Sequence, residues 1–417
     1  MREMKDSKVK WLGVIPLEWK VERVKHGFIR KKAEAHQDNP IVLSLARTGV
    51  RERDISNNEG QIAESYYNYN PVDVDDLLIN PMDLYSGANC SISKISGVIS
   101  PAYVNLRYRE GYNPQYYDYY FKLQYWLMAF FAHGKGVSYE NRWTLNAETL
   151  MNYPIIVPTE CEQRKIVDYL DAKCSKIDEI IEKQLSIIEK LKEYKLSIIT
   201  EAVTSGINPD VEMKDSGSVW FGNIPINWEM KRLKYVFHIQ KDIAGEEGHT
   251  VLSITQRGII PKDFSNNEGQ FANSYANYQL VHKGDFAMNH MDLLTGWVDI
   301  SKYEGVTSPD YRVFVLNDKN GMCPKYYLYM MQMCYSARIF YGLGQGVSGM
   351  GRWRLQADKF LNFYIPIPPY DEQKKIADYI TDKVNHIEVE IDKRNKLIKK
   401  YQEYKKSLIY EVVTGKK

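Results

Sequence analysis

EQRKIVDYLDAKCSKIDEIIEKQLSIIEKLKEYKLSIITEAVT, residues 162–204, contains neither proline nor glycine, and neither does EQKKIADYITDKVNHIEVEIDKRNKLIKKYQEYKKSLIYEVVT, residues 372–414. Their absence is what a long uninterrupted helix requires. Apolar residues recur at alternating steps of three and four: Cys174, Ile177, Ile181, Ile188, Leu191 and Ile198 in the first stretch, and Val384, Ile387, Ile391, Ile398, Tyr401 and Leu408 in the second. That spacing is a heptad seam, and its central members are the helix-pairing candidates. Gln184 and Lys195 interrupt the first seam where Arg394 and Lys405 interrupt the second. Matching interruptions point to a fixed register between two helices of one chain. At 1.5 Å per residue, such a helix reaches on the order of 60 Å. Two arrangements are open: each helix packs on its own globular part, or the two pair as a strut.

Outward from these stretches the rest of the chain repeats as well. Trp11-Leu-Gly-Val-Ile-Pro-Leu-Glu-Trp19 returns as Trp220-Phe-Gly-Asn-Ile-Pro-Ile-Asn-Trp228 at an offset of 209, which also carries Asn57-Asn-Glu-Gly-Gln61 onto Asn266-Asn-Glu-Gly-Gln270. Gly136-Val-Ser138 with Arg142-Trp143 matches Gly346-Val-Ser348 with Arg352-Trp353 at 210. A period this long is a duplicated module and not a solenoid. Each module opens with a part rich in Tyr, Asn, Gly and Pro. Short runs such as Ile41–Leu45, Asp76–Ile79 and Tyr153–Val157 read as strands, and Pro114–Ala132 and Pro324–Tyr341 as helices opened by proline. The expected class is α+β, with residues 1–160 and 207–369 as globular domains and 161–206 and 370–417 as the helices that follow them.

Composition bounds the function less tightly. The chain has 417 residues, 55 basic against 53 acidic, so affinity for a polyanion must come from local placement of charge. Five cysteines form no CxxC pair and no zinc-like spacing, which fits a reducing compartment. MREMKDSKVK at the start lacks an apolar signal core, and the longest apolar run, Trp126 to Ala132, is too short to span a membrane. The expectation is a cytoplasmic protein.

Catalytic motifs fail the internal comparison. Gly344-Gln-Gly346-Val-Ser-Gly349 satisfies a dinucleotide fingerprint, but its counterpart ends in Tyr139 and neither follows a strand. Asn80-Pro81-Met-Asp83 lacks the second proline and the aromatic of an adenine methyltransferase site, and the other copy reads Asn289-His-Met-Asp292. Pro309-Asp310 is matched by Pro101-Ala102, without the further carboxylates a nuclease metal needs. No phosphate-binding loop or HExxH is present. Neither a catalytic residue nor a metal ligand is assigned.

Three repeated features, the Trp11 to Trp19 motif, the step Pro158-x-x-x-Glu162-Gln163-x-Lys165-Ile166 into the helix, and its close Glu193-Tyr-Lys-x-Ser197, span the whole chain. Through them the sequence resembles the specificity (S) subunit of type I restriction-modification systems. The resemblance implies two target recognition domains, each reading one half of a bipartite double-stranded DNA site. It also implies two conserved helices, paired as an antiparallel coiled coil, that set the spacing and dock two methyltransferase subunits, to which restriction and translocase subunits are added. S-adenosylmethionine, ATP and Mg would belong to those partners, and this chain would be no enzyme. A structural coiled-coil adaptor and a stand-alone DNA methyltransferase or nuclease are the alternatives.

Base readout needs Arg, Lys, Asn or Gln on exposed segments, with phosphate contacts fixing register. Arg47-Thr-Gly-Val-Arg51-Glu-Arg53-Asp54 aligns with Gln256-Arg257-Gly-Ile-Ile-Pro-Lys262-Asp263, a kept frame with altered tips. Lys135, Ser138 and Arg142 align with Gln345, Ser348 and Arg352, where the kept Ser and Arg suit a sequence-blind phosphate contact. These twelve residues, the named Arg, Lys, Gln and Ser, are the candidate DNA contacts.

Residues 56–87 and 265–296 share 18 of 32 positions, whereas the helices share 20 of 43. Domains reading unrelated sequences would have diverged further than the helices. The half-sites are therefore expected to be related, and with antiparallel helices to form a partial inverted repeat. Methylome sequencing that returned half-sites with no shared or complementary bases would contradict this.

Overall fold

The computed structural model describes the chain except residues 1, 47, 55–62, 64, 83, 85–88, 137–142, 265–271, 273 and 347–352. It is α+β and divides into two compact units, Met1–Gln184 with Lys396–Lys417, and Leu185–Asn395. The division falls within the two long helices, Glu160–Ser205 and Tyr370–Val413. Each unit therefore contains one loop-rich module and a portion of both helices.

In the first unit an antiparallel sheet of four strands runs in the order Phe28–Lys31, Val104–Tyr108, Leu77–Ile79, Cys90–Ile92. The second unit repeats it with Phe237–Gln240, Arg312–Leu316, Phe286–Met288 and Val298–Ile300. Helix Pro114–Trp126 packs into the core with Tyr116, Tyr117, Tyr120 and Phe121 fully buried. Asn113 caps it, accepting from the amides of Gln115 and Tyr116, and Pro114 occupies the first turn, where a missing N–H costs nothing. The single long helix expected over Pro114–Ala132 is interrupted. Met128 takes a left-handed conformation and a short helix follows at Ala129–Ala132. Arg338 does the same in the second unit, before Ile339–Gly342.

The repeated Glu-Gln pair is a structural clamp. The Glu162 carboxylate accepts from the Thr159 amide and hydroxyl while the Glu162 amide donates back to Thr159 Oγ1, a reciprocal cap of the first long helix. Gln163, fully buried, accepts from the Asn113 amide at 2.7 Å and donates to the carbonyls of Gly111 and Pro158. It thereby ties the start of the long helix to the start of the tyrosine-rich one. Gln373 does the same work, accepting from the Cys323 amide and donating to the Pro368 carbonyl.

The tryptophan motif builds a socket for a helix end. In the first unit the end of the second long helix closes the core: Leu408, Ile409, Val412 and Val413 are buried among the residues of the first module, and Tyr116 donates to the Val413 carbonyl at 2.9 Å. Gly415, left-handed at φ +70°, lies so close to Pro16 and Trp19 that a Cβ would overlap them. In the second unit the end of the first long helix, Ile199, Ala202 and Val203, fills the equivalent place, with Tyr326 donating to the Val203 carbonyl. Gly206 at φ +80° abuts Trp228 and Pro225.

Within each unit the helix portions run antiparallel, joined by Lys405 to Asp178 at 2.6 Å in the first and by Lys195 to Glu388 at 3.3 Å in the second. The residue numbers of both pairs have the same sum, so both units hold one antiparallel register. Ile177, Ile188, Ile387 and Ile398 are buried, and Ile181, Leu191, Ile391 and Tyr401 are partly so.

Because four aliphatic side chains each contribute roughly 1.5–3 kcal/mol on burial, removing residues 406–417 should withdraw several kcal/mol from the first unit, a large share of a typical domain's stability. Calorimetry of the truncated chain is expected to show loss of one unfolding transition and retention of the other.

Candidate nucleic-acid interface

The first candidate segment is a β-hairpin and not a loop. Leu43–Ala46 pairs with Gly49–Glu52, and Leu252–Thr255 pairs with Gly258–Pro261. Alternation divides its residues: Leu43, Leu45 and Val50 join a small core beside the main sheet, as do Leu252, Ile254 and Ile259, while Ser44 and Arg51 face away from it. The two-residue tips need a left-handed exit. Gly49 supplies φ +121° and Gly258 φ +105°, which explains why the glycine persisted while its neighbours changed. Gln256 and Arg257 form the tip of the second hairpin. Thr255 Oγ1 accepts from the Arg257 amide and donates to the Gly258 carbonyl. Arg47, at the first tip, lies outside the described residues. Arg53 and Lys262 follow the hairpins at equivalent places, their amides donating to Val42 and Val251 at 2.8 Å. Arg51 has an isoleucine, Ile260, as counterpart, so its charge is private to the first unit.

The second candidate segment is a loop closed at its base. Lys135 and Thr144 exchange two backbone hydrogen bonds, as do Gln345 and Arg354. Trp143 Nε1 donates to the Phe131 carbonyl and Trp353 Nε1 to the Tyr341 carbonyl, which seats each loop on its short helix. Ser138, Arg142, Ser348 and Arg352 lie outside the described residues.

A third segment, the loop that begins at Asn80-Pro81 and Asn289-His290, joins the other two. In the first unit Asn89 Nδ2 donates to the Ala46 carbonyl at the end of the hairpin strand, and the amides of Leu84 and Leu145 donate to the carbonyls of Trp143 and Pro81. In the second unit the Gln256 side chain reaches the Thr295 carbonyl, and Leu355 donates to the His290 carbonyl. Asn80 and Asn289 shape this loop by accepting from the amides that follow them. Each unit thus gathers hairpin, polar loop and closed loop on one face. The signal that could have shown it was the identity of residues 56–87 with 265–296, 18 of 32 positions.

Electrostatics distinguish the second unit. Arg312 is buried, donates to the Leu355 carbonyl at 2.8 Å and lies 4.9 Å from the Phe360 ring, with no carboxylate paired to it among the described residues. Burial pushes its pKa down to about 10. Burial, then the charges of Arg312, Arg354 and Lys241, push His290 down to about 4, so it is neutral near pH 7. Val104 and Pro81 stand at the corresponding places in the first unit. Burial raises the Asp292 carboxyl, but hydrogen bonds from Thr295, Leu294 and Gly296 outweigh it and keep it ionised. Among the described residues no cluster of His, Cys, Asp and Glu could hold a metal ion, and no helix is long and apolar enough to cross a membrane.

Residues 225–400 match the family model of the type I restriction modification DNA specificity domain. A curated relative, the candidate type I restriction enzyme MjaX specificity subunit of Methanocaldococcus jannaschii, is 24% identical over 176 residues, 39% of this chain and 40% of that protein. The match therefore spans less than half the length of that relative. A chain from a structure of type I R-M complex assembly and conformational transition superposes with a TM-score of 0.67 at 13% identity, covering 96% of this chain and 99% of that one. The HsdS subunit of Thermoanaerobacter tengcongensis superposes at 0.48 with 14% identity, covering 96% and 98%.

His290 makes stability depend on pH. Its folded pKa lies below the ordinary value of 6.5, so the unfolded chain binds the proton first. The contribution is complete above about pH 6.5 and is lost as pH falls toward about 4. Urea unfolding of the second unit should show lower stability at about pH 5 than at about pH 7, and His290→Gln should flatten that difference.

Proposed function

We propose that the chain is a member of the type I restriction-modification specificity family, a non-catalytic DNA-binding subunit that addresses partner enzymes to a two-part duplex site; the match of residues 225–400 to the DNA specificity domain supports this. The observation that carries this reading is the duplicated three-segment face, the same frame in both units with different tips. Each face reads one half-site. The hairpin, with Arg47, Arg51 and Arg53 in one unit and Gln256, Arg257 and Lys262 in the other, supplies direct readout in the major groove. The closed loop, with Lys135, Ser138 and Arg142 or Gln345, Ser348 and Arg352, holds the backbone.

The long helices dock the methyltransferase subunits, to which restriction subunits add. Support comes from exposed aromatics that recur at the same offset of 210 on both helices, Tyr169 with Tyr379 and Tyr194 with Tyr404. A surface aromatic kept twice is better suited to a partner met twice than to solvent. A structural adaptor would need no such faces, and a stand-alone enzyme would need chemistry that the sequence lacks.

Purified chain, with and without methyltransferase subunits, incubated with random duplex DNA should retain a gapped two-part sequence, and recovery of unselected DNA would overturn the reading. On that site Arg142→Ala or Arg352→Ala should weaken binding to all sequences alike and reduce its salt dependence. Arg51→Ala or Lys262→Ala should instead relax preference at particular positions by roughly 1–3 kcal/mol. Equal behaviour of the two groups would reverse the roles of hairpin and loop.

A further inference from the structure

Beside the hairpin of the second unit lies a cavity of about 400 Å³, in the size range of a small-ligand site. Tyr278 and Tyr311 wall it, Ser253 and Asn289 offer polar groups, and Lys262 and Asp310 bring charges of opposite sign. Of its eleven lining residues, nine have the identical residue at the equivalent place in the first module. The long helices keep fewer than half of theirs.

Packing accounts for the retained valine and leucine, which are buried, and in part for the tyrosine that flanks the small core, Tyr103 or Tyr311, but not for the polar residues. Tyr69, Tyr103, Ser44 and Asn80, the counterparts in the first unit, are half-buried like the residues they match. The frame is kept too. Tyr103 donates its amide to Ser100 and Tyr311 to Ser308, while Tyr69 donates to Tyr66 and Tyr278 to Tyr275, all at 2.9–3.1 Å. The side-chain oxygens of Asn80 and Asn289 are held by backbone amides, which directs their NH₂ groups elsewhere. Among the described residues the hydroxyls of Tyr278 and Tyr311 have no hydrogen-bond partner in the protein.

The lining selects among ligands. A phosphate alone would meet the carboxylates of Asp292 and Asp310, and an apolar molecule would leave them and the amide unsatisfied. A flat heteroaromatic group suits every part: rings to stack on, an amide and a cation to donate, and carboxylates to accept from an exocyclic amine.

We propose that the second module draws one nucleobase of its half-site out of the duplex into this cavity, and that the first module takes one at the matching residues. This rests on the reading that the modules bind duplex DNA. Tyr278 and Tyr69 supply the stacking surface, and Asn289 and Asn80 donate to the edge of the base. Asp310 accepts from an exocyclic amine, so the second module favours adenine, cytosine or guanine over thymine. The first module has Ala102 there and lacks that acceptor.

The test uses the full chain, without methyltransferase subunits, on its selected duplex, with the opposite base replaced at each half-site position in turn. An unpaired base is cheaper to extrude, so one position per half-site should bind about tenfold tighter when mismatched, while others weaken. Tyr278→Ala should abolish the gain in one half-site and Tyr69→Ala in the other, and Tyr278→Phe should keep it. Asp310→Ala, which installs the residue of the first module, should remove the preference for an amino-bearing base without removing the gain. No tightening position in a chain that binds its matched site, or a gain that survives both alanine variants, overturns the cavity assignment and leaves DNA reading intact. Failure to bind any duplex overturns both.

Discussion

The constraint on which the structure depends is that neither module closes its own core. In each unit the last turn of a long helix seats against a proline and a tryptophan, Pro16 and Trp19 or Pro225 and Trp228, and is followed by a left-handed glycine, where a Cβ would overlap the socket at Gly415 and press on Trp228 at Gly206. In the first unit the helix end arrives from a distant part of the sequence, and in the second from the stretch just before the module. Tyr116 reaches across almost three hundred residues to the Val413 carbonyl. Burial of Leu408, Ile409, Val412 and Val413 makes that arrival part of the folding free energy of the first unit, beyond its value as a connection. A chain organised this way must retain its tryptophan motif and its helix ends in both copies, because each is the other's complement.

Register follows from a weaker interaction placed with care. The Lys405–Asp178 and Lys195–Glu388 pairs are partly exposed, and pairs of that kind contribute little to stability. Their use is in the heptad seam, where a lysine at a seam position is tolerated only if its charge meets a carboxylate across the helix pair. Sliding one helix by a turn would separate both pairs and carry the lysines over apolar neighbours. The aliphatic seam supplies the attraction and the two lysines supply the alignment.

How much of this was legible in the sequence depended on the range of the interaction. The long helices were legible because periodicity and the lack of proline and glycine are local properties. The duplication was legible by comparison alone. The meaning of the Glu-Gln pair was not, since Gln163 acts through the carbonyls of Gly111 and Pro158 and the amide of Asn113, partners that no spacing announces. Nor was the interruption at Met128, because a methionine with positive φ leaves no mark in composition. The candidate DNA contacts were found as two segments. The loop that joins them carries no local mark of its role, since Asn80-Pro81-Met-Asp83 matches no catalytic motif and its partners are distant in sequence. Its role appears in bonds from Asn89 to Ala46 and from Leu84 to Trp143.

Two copies of one frame also let each difference act as an internal comparison. Where the frame requires a residue, as at Gly49 and Gly258, the copies agree. Where solvent alone is met, they drift. The informative places are those at which a half-buried polar residue is kept, or a buried charge is gained, because neither is free. Arg312 belongs to the second kind. A guanidinium buried without a carboxylate is costly, and its one described protein hydrogen bond to a carbonyl oxygen holds Leu355, next to Arg354 and the base of the closed loop. The first unit manages the same fold with Val104 in that place. The fold therefore does not need the charge, and what the charge changes is the loop it holds and the potential around His290, both beside the hairpin and closed loop of the second unit.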